Sequence, residues 1–212
     1  MDVFREKILP PDITLVCKLT KDGIITFVNQ EYLNVFKYKE TELIGQPHTI
    51  IQDPELPEVI SDILWNRIYQ GQKFYYVTKN LTKDKEVVWT LVDGTSKIQE
   101  NRKNAIFLRR KFVPHEIKEE FKSLYKTLYE IETQGGGKKV AQKYLEGWLE
   151  DRSVSSINEY IIKKFGGEKK LKAYFTAEIS DEELFKIEPD EMNINEILDF
   201  VKKKKKRRFG LF

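Results

Sequence analysis

Residues 21–37 read KDGIITFVNQEYLNVFK, and the change of rhythm inside this stretch decides the fold. Ile24 to Val28 is a β-rich run entered through an Asp22-Gly23 turn. Beyond Asn29, Tyr32, Leu33, Val35 and Phe36 fall at helical spacing instead. Upstream, Thr14 to Leu19 (TLVCKL) supplies the other arm of a hairpin. A lone two-stranded hairpin is marginal in water, so further strands are needed to build a core.

Those strands come after a helical interlude. Thr41 to Gly45 predicts a helical turn closed by glycine. The stretch from Gln46 to Pro57 (QPHTIIQDPELP) predicts a loop, because its prolines remove donors and restrict the residues before them. Ile60, Ile63, Leu64, Trp65 and Ile68 then recur at helical spacing up to Gly71. Three β-type runs follow: Lys73 to Thr82 (KFYYVTKNLT), Glu86 to Asp93 (EVVWTLVD) and Asn104 to Val113 (NAIFLRRKFV). Two strands, several short helices and three strands make an α+β domain with a five-stranded antiparallel sheet.

After Pro114 the pattern becomes helical. Ile117, Phe121, Leu124, Leu128 and Ile131 form a seam that suits either a dimer contact or a helix packed on its own sheet. Gly135-Gly136-Gly137 reads as a linker. Beyond it, Val140, Ala141, Tyr144, Leu145, Trp148 and Leu149 make an apolar stripe. Ser156 with Glu159, Ser180 with Glu183, and Asn193 with Glu196 have the spacing of helix N-terminal caps. The expected organisation is a sheet domain over residues 1–113, a connector helix over 114–134, a short-helix extension over 135–201 and a basic tail over 202–212.

Composition sets the outer bounds. Of 212 residues, 13 are Phe, 10 Tyr and 3 Trp, enough large apolar surface for a packed core. One cysteine excludes an intramolecular disulfide framework and a cysteine-based metal cluster. No apolar run reaches the roughly 18–20 residues of a membrane-spanning helix, and MDVFREKILPPD is not a secretory leader. The expectation is a cytoplasmic protein. Its net charge of +3 is set by the run KKKKKRR at Lys202 to Arg208; the rest of the chain is mildly acidic. That run suits a solvated end first, a contact with the inner face of a membrane second, and nucleic acid last, since no basic face or stacking platform accompanies it.

Enzyme motifs are scarce. His48 and His115 are separated by most of the sheet domain, and Cys17 sits in a strand. None has a catalytic or zinc-ligand spacing. Gly135 to Lys139 lacks the spacing of a phosphate loop and follows a helix rather than a strand. The expectation is a non-enzyme.

Taken in order, several pieces resemble a PAS sensor domain of the aerotaxis-receptor, or energy-taxis, branch. They are Gly23-Ile24-Ile25-Thr26-Phe27-Val28-Asn29, Glu42 to His48 (ELIGQPH), Asp53 to Pro57 (DPELP), Trp65, Gly71 and Lys79-Asn80. The resemblance covers about half the chain. It implies a five-stranded antiparallel sheet with helices over one face and a pocket between them, which in this branch holds FAD. On the same ground Asn29 and Asn80 are the pocket amides, Trp65 and Phe74 cover the flavin ring, and His48 and Trp89 join the pocket. Haem is the other cofactor of the superfamily, with His48 the one candidate ligand inside the domain. The chain departs from the branch at Gln52-Asp53, where Arg-His is usual, and at Val88-Trp89, where Tyr-Trp is usual. Replacing a cation by a carboxylate beside a pyrophosphate costs on the order of 1–3 kcal/mol. The resemblance further implies small energy-taxis proteins that act by contact with a membrane chemoreceptor. The alternative function is a cofactor-free PAS adaptor that serves dimerisation and docking.

Overall fold

In the computed structural model, which describes residues 5–99 and 102–176, the expected hairpin forms around Gly23. Strands β1 (Leu15–Thr20) and β2 (Ile25–Val28) pair antiparallel, with Cys17 opposite Val28. Gly23 takes a φ of +76°, and a Cβ there would lie 2.7 Å from the Trp65 indole. Glycine is needed both for the turn and for the close approach.

The chain then forms α1 (Gln30–Phe36), α2 (Glu40–Leu43), a 3-10 turn at His48–Ile51 within the expected loop, and α3 (Glu58–Tyr69). Three long strands complete the sheet: β3 (Phe74–Leu81), β4 (Val87–Gln99) and β5 (Arg102–Lys111). The spatial order is β2-β1-β5-β4-β3, with every neighbouring pair antiparallel. The architecture is the five-stranded α+β sheet domain that the order of elements predicts, followed by helices.

Alternation along the strands divides the side chains between two cores. The inner core lies under α1 to α3 and includes Cys17, Tyr32, Phe36, Phe74, Tyr76, Val88, Val92, Ile106 and Leu108. The outer core takes Tyr75, Val77, Trp89 and Leu91 from the opposite face of β3 and β4.

The outer core is closed by four helices: α4 (His115–Thr133), α5 (Gly137–Glu150), α6 (Ile157–Lys164) and α7 (Glu168–Thr176). Phe121, Leu124 and Leu128 of the α4 seam are buried within the chain itself, with Ile131 packed beside them. Of the two readings of that seam, the structure shows a helix packed on its own sheet. Gly135 and Gly137 have positive φ, and the glycine run makes a tight turn that folds α5 back onto α4. At α6, the Ser156 hydroxyl accepts a hydrogen bond from the Glu159 backbone, as its cap spacing predicts. The caps expected at Ser180 and Asn193, and the basic tail, lie outside the described residues.

The edge strand β3 is closed by atoms of the same chain. The Tyr75 N–H donates to Asn158 Oδ1 of α6 at 2.7 Å, the Val77 carbonyl accepts from the Tyr125 hydroxyl of α4, and the Lys79 carbonyl accepts from the Asp53 N–H. Helix α3 belongs to both cores. Val59 and Ile60 at its start join the outer core, whereas Ile68 joins the inner one. Its first N–H groups, at Glu58 and Val59, donate to the Glu132 carboxylate of α4 at 2.8 and 2.9 Å. A carboxylate there satisfies orphan donors and complements the helix dipole.

Candidate functional site

Beneath α1 to α3 the inner face of the sheet carries a polar group of side chains among apolar ones. Arg110 projects inward from β5 and is completely buried. Its Nη1 donates to Asn80 Oδ1 on β3 at 3.0 Å and to Thr90 Oγ1 on β4 at 3.3 Å. Its Nη2 lies 2.7 Å from His48 Nε2 on the 3-10 turn. A guanidinium only donates, so Nε2 is the acceptor and His48 is neutral, with its proton on Nδ1. Burial first and the Arg110 cation second hold the His48 pKa well below its usual value. Among the described residues Arg110 has no carboxylate partner, and its Nε has no hydrogen-bond partner.

The neighbouring arginine behaves oppositely. Arg109 points to the outer face and pairs with Asp93, with Nε 3.1 Å from Oδ2, and Lys73 approaches the same carboxylate at 3.4 Å. Two adjacent arginines therefore meet opposite environments, one matched by a carboxylate and one set among neutral groups.

Other inner side chains complete the surroundings of Arg110. The Tyr32 hydroxyl is buried beside the Cys17 thiol, and burial pushes its pKa well up. Tyr76 is likewise raised by burial and partly offset by the Arg110 cation. Burial pushes the Cys17 thiol up to about 12, so it stays protonated and unreactive near neutral pH.

The six residues expected at the pocket separate into groups. His48 and Asn80 come together on Arg110, and Asn80 also donates to the Ile51 carbonyl at 3.3 Å. Phe74 belongs to the same inner core, its ring lying against Gly94. Trp65 packs over Gly23 on α3, half-buried at the margin of that core. Asn29 lies apart from the Arg110 group. Its Oδ1 accepts from the Val16 and Tyr32 N–H groups and its Nδ2 donates to the Thr14 carbonyl, so it fastens β1 to α1. Trp89 is displaced from the expected site. Strand alternation sends it to the outer core, 6.0 Å from the Tyr125 ring, while Val88 and Thr90 face inward.

The substitution at Asp53 has a local explanation. Its carboxylate caps the following turn through the Glu55 N–H and pairs with Lys79 Nζ at 3.0 Å. That negative charge is neutralised in place. Arg110 is the buried cation of this candidate site that the sequence reading missed; its signal is the alternation Ile106, Leu108, Arg110, which puts a cation in line with core positions.

The chain is 26% identical over 145 residues to the aerotaxis receptor of Escherichia coli (strain K12), a match covering 66% of this chain and 28% of that relative. In sequence and strand order the sheet domain resembles a PAS domain of the aerotaxis-receptor type. The chain thus corresponds to less than a third of that receptor's length. Solved structures similar to the PAS domain include the blue-light photoreceptor Aureochrome1 LOV in its light state, at 16% identity and a TM-score of 0.46. That match covers 51% of this chain and 88% of the other. Another is the PAS domain of an HTR-like protein from Haloarcula marismortui, at 14% identity and a TM-score of 0.40, covering 48% and 83%. No family model matches the chain. Among the described residues, no helix is long and apolar enough to cross a membrane, and no cluster of metal-ligating side chains occurs.

Proposed function

We propose that this PAS domain is a non-enzymatic sensor of redox or energy state, that its inner pocket takes FAD, and that it signals by contact with a chemoreceptor-type partner. The observation that carries the ligand reading is the buried Nε of Arg110, which has no hydrogen-bond partner among the described residues. Unsatisfied polar atoms inside a core are costly, and a ligand with complementary groups relieves that cost. Asn80, His48 and Arg110 would hold the polar edge of the flavin ring, with Phe74 and Tyr76 as apolar walls. A bound flavin supplies a ring whose charge and protonation change with electron uptake. Haem fits less well, because His48 Nε2, its required ligand atom, is turned to the Arg110 cation.

The route of output rests on α3. One end of this helix packs in the inner core and the other in the outer core, where Glu132 holds it to α4. A ligand that favours one position of α3 also favours one position of the α4–α5 pair, a population shift set by differential contacts. The partner reads that pair. The alternative adaptor reading places its dimer contact on Phe121 and Leu128, which are buried within the chain.

An absorbance spectrum of protein purified without added cofactor tests the ligand reading. A yellow preparation with flavin bands, bleached in Asn80→Ala, is the expected result. A colourless protein that does not respond to added FAD refutes it.

A further inference from the structure

Arg110 carries a second message, which concerns charge rather than hydrogen bonding. A guanidinium stays protonated at any pH a folded protein meets, and this one is completely buried with Asn80, Thr90 and His48 as neutral partners. Such a cation is stabilised by an anion far more than by dipoles in a low-dielectric interior. Arg109 shows the ordinary solution one residue away, where Asp93 supplies the balancing charge. At Arg110 the chain supplies none among its described residues. An anionic ligand would supply the balancing charge that the described residues do not. The His48 ring is the neutral partner that would yield to it, since it sits on a 3-10 turn outside the sheet.

Resting on the flavin reading above, we propose that Arg110 makes this pocket selective for a negatively charged ligand, so that it binds the anionic reduced flavin more tightly than the neutral oxidised one. Two electrons and one proton from an external donor separate these two forms. The net change on the ring is one negative charge. Selectivity between them is the same quantity as a raised reduction potential for the bound flavin, about 30 mV for each tenfold ratio of dissociation constants. The pocket then senses by charge: the reduced ligand engages Arg110 and frees His48, whereas the oxidised ligand leaves the present arrangement in place.

The test is a pair of anaerobic titrations of the full chain, one with oxidised FAD and one with FAD reduced by dithionite. They are repeated on Arg110→Gln, which removes the charge, and Arg110→Lys, which keeps it; circular dichroism checks the folding of each. The expected result is at least tenfold tighter binding of the reduced form, lost in Arg110→Gln and retained in Arg110→Lys. Equal binding of the two forms by the parent protein overturns the role of Arg110 and leaves the flavin reading standing, with no variant needed. A preference that survives in Arg110→Gln does the same. Failure to bind either form overturns the flavin reading, and a melting curve with succinate then decides the rest. Stabilisation by succinate in the parent protein but not in Arg110→Gln upholds an anion-selective pocket, and no stabilisation overturns it.

Discussion

The Tyr125 hydroxyl of α4 donates a 2.5 Å hydrogen bond to the carbonyl of Val77 on the edge strand β3. Both residues are buried, so no water replaces the hydroxyl if it is removed. Tyr125→Phe leaves the carbonyl unsatisfied at nearly constant volume, and a loss of about 1–3 kcal/mol is expected. Urea unfolding with an unchanged m-value checks it. Burial holds the Tyr125 phenol pKa well above its usual value, so the bond persists at mildly alkaline pH.

Gly94 on β4 is a position where the absence of a side chain is used. A Cβ there would lie 1.9 Å from the Phe74 ring. Gly94→Ala therefore overpacks the inner core and is expected to destabilise the protein by about 1–3 kcal/mol or more. Adding Phe74→Leu to Gly94→Ala should recover part of that loss. A double-mutant cycle by thermal melting measures the coupling, and strict additivity would contradict the packing account.

His48 gives the protein a pH dependence of definite sign. The folded state holds the ring neutral, whereas the unfolded chain binds a proton below its ordinary value near 6.5. Stability is complete above that value and falls as pH drops beneath it, by up to about 1.4 kcal/mol per pH unit until the folded-state value is reached. Carboxylates that are held low in the fold, such as Glu42 and Glu86, act at lower pH. His48→Gln keeps an acceptor for Arg110 and removes the titration. Chemical denaturation at pH 7.5 and 5.5 should show a smaller difference in the variant than in the parent.

Glu132 ties α4 to the start of α3 through two backbone hydrogen bonds. Glu132→Ala should cost about 1 kcal/mol, the scale of a lost helix cap, and faster hydrogen exchange should appear at the first turn of α3. Exchange that is unchanged there would show that α3 is held by packing alone.

The sheet was legible because its signals are local. Asp22-Gly23 sets the hairpin, and apolar runs of strand length bounded by turn residues mark the rest. The helical extension was legible as elements but not as an arrangement. Phe121 and Leu128 have the same spacing whether they meet a second copy or their own sheet, and only the folded chain shows which. At the site, motif position identified His48 and Asn80 as inward-facing. It failed for Trp89, where a one-residue step along a strand reverses the face. For Asn29 it did not reveal the second task, since a short amide suits a junction between elements as well as a pocket. Arg110 escaped notice because a basic residue at the end of a strand ordinarily faces solvent. Its burial depends on the loop before α3 folding over it, and such tertiary placement has no local signature.

The closure of β3 bears on how this protein behaves at high concentration. Its N–H at Tyr75 and its carbonyls at Val77 and Lys79 are all engaged by the same polypeptide. An extended peptide arriving from outside meets a ladder already interrupted at these three groups. Fibril growth from that side would first require α4 and α6 to peel away, so conditions that loosen these helices are the ones in which precipitation is expected to begin.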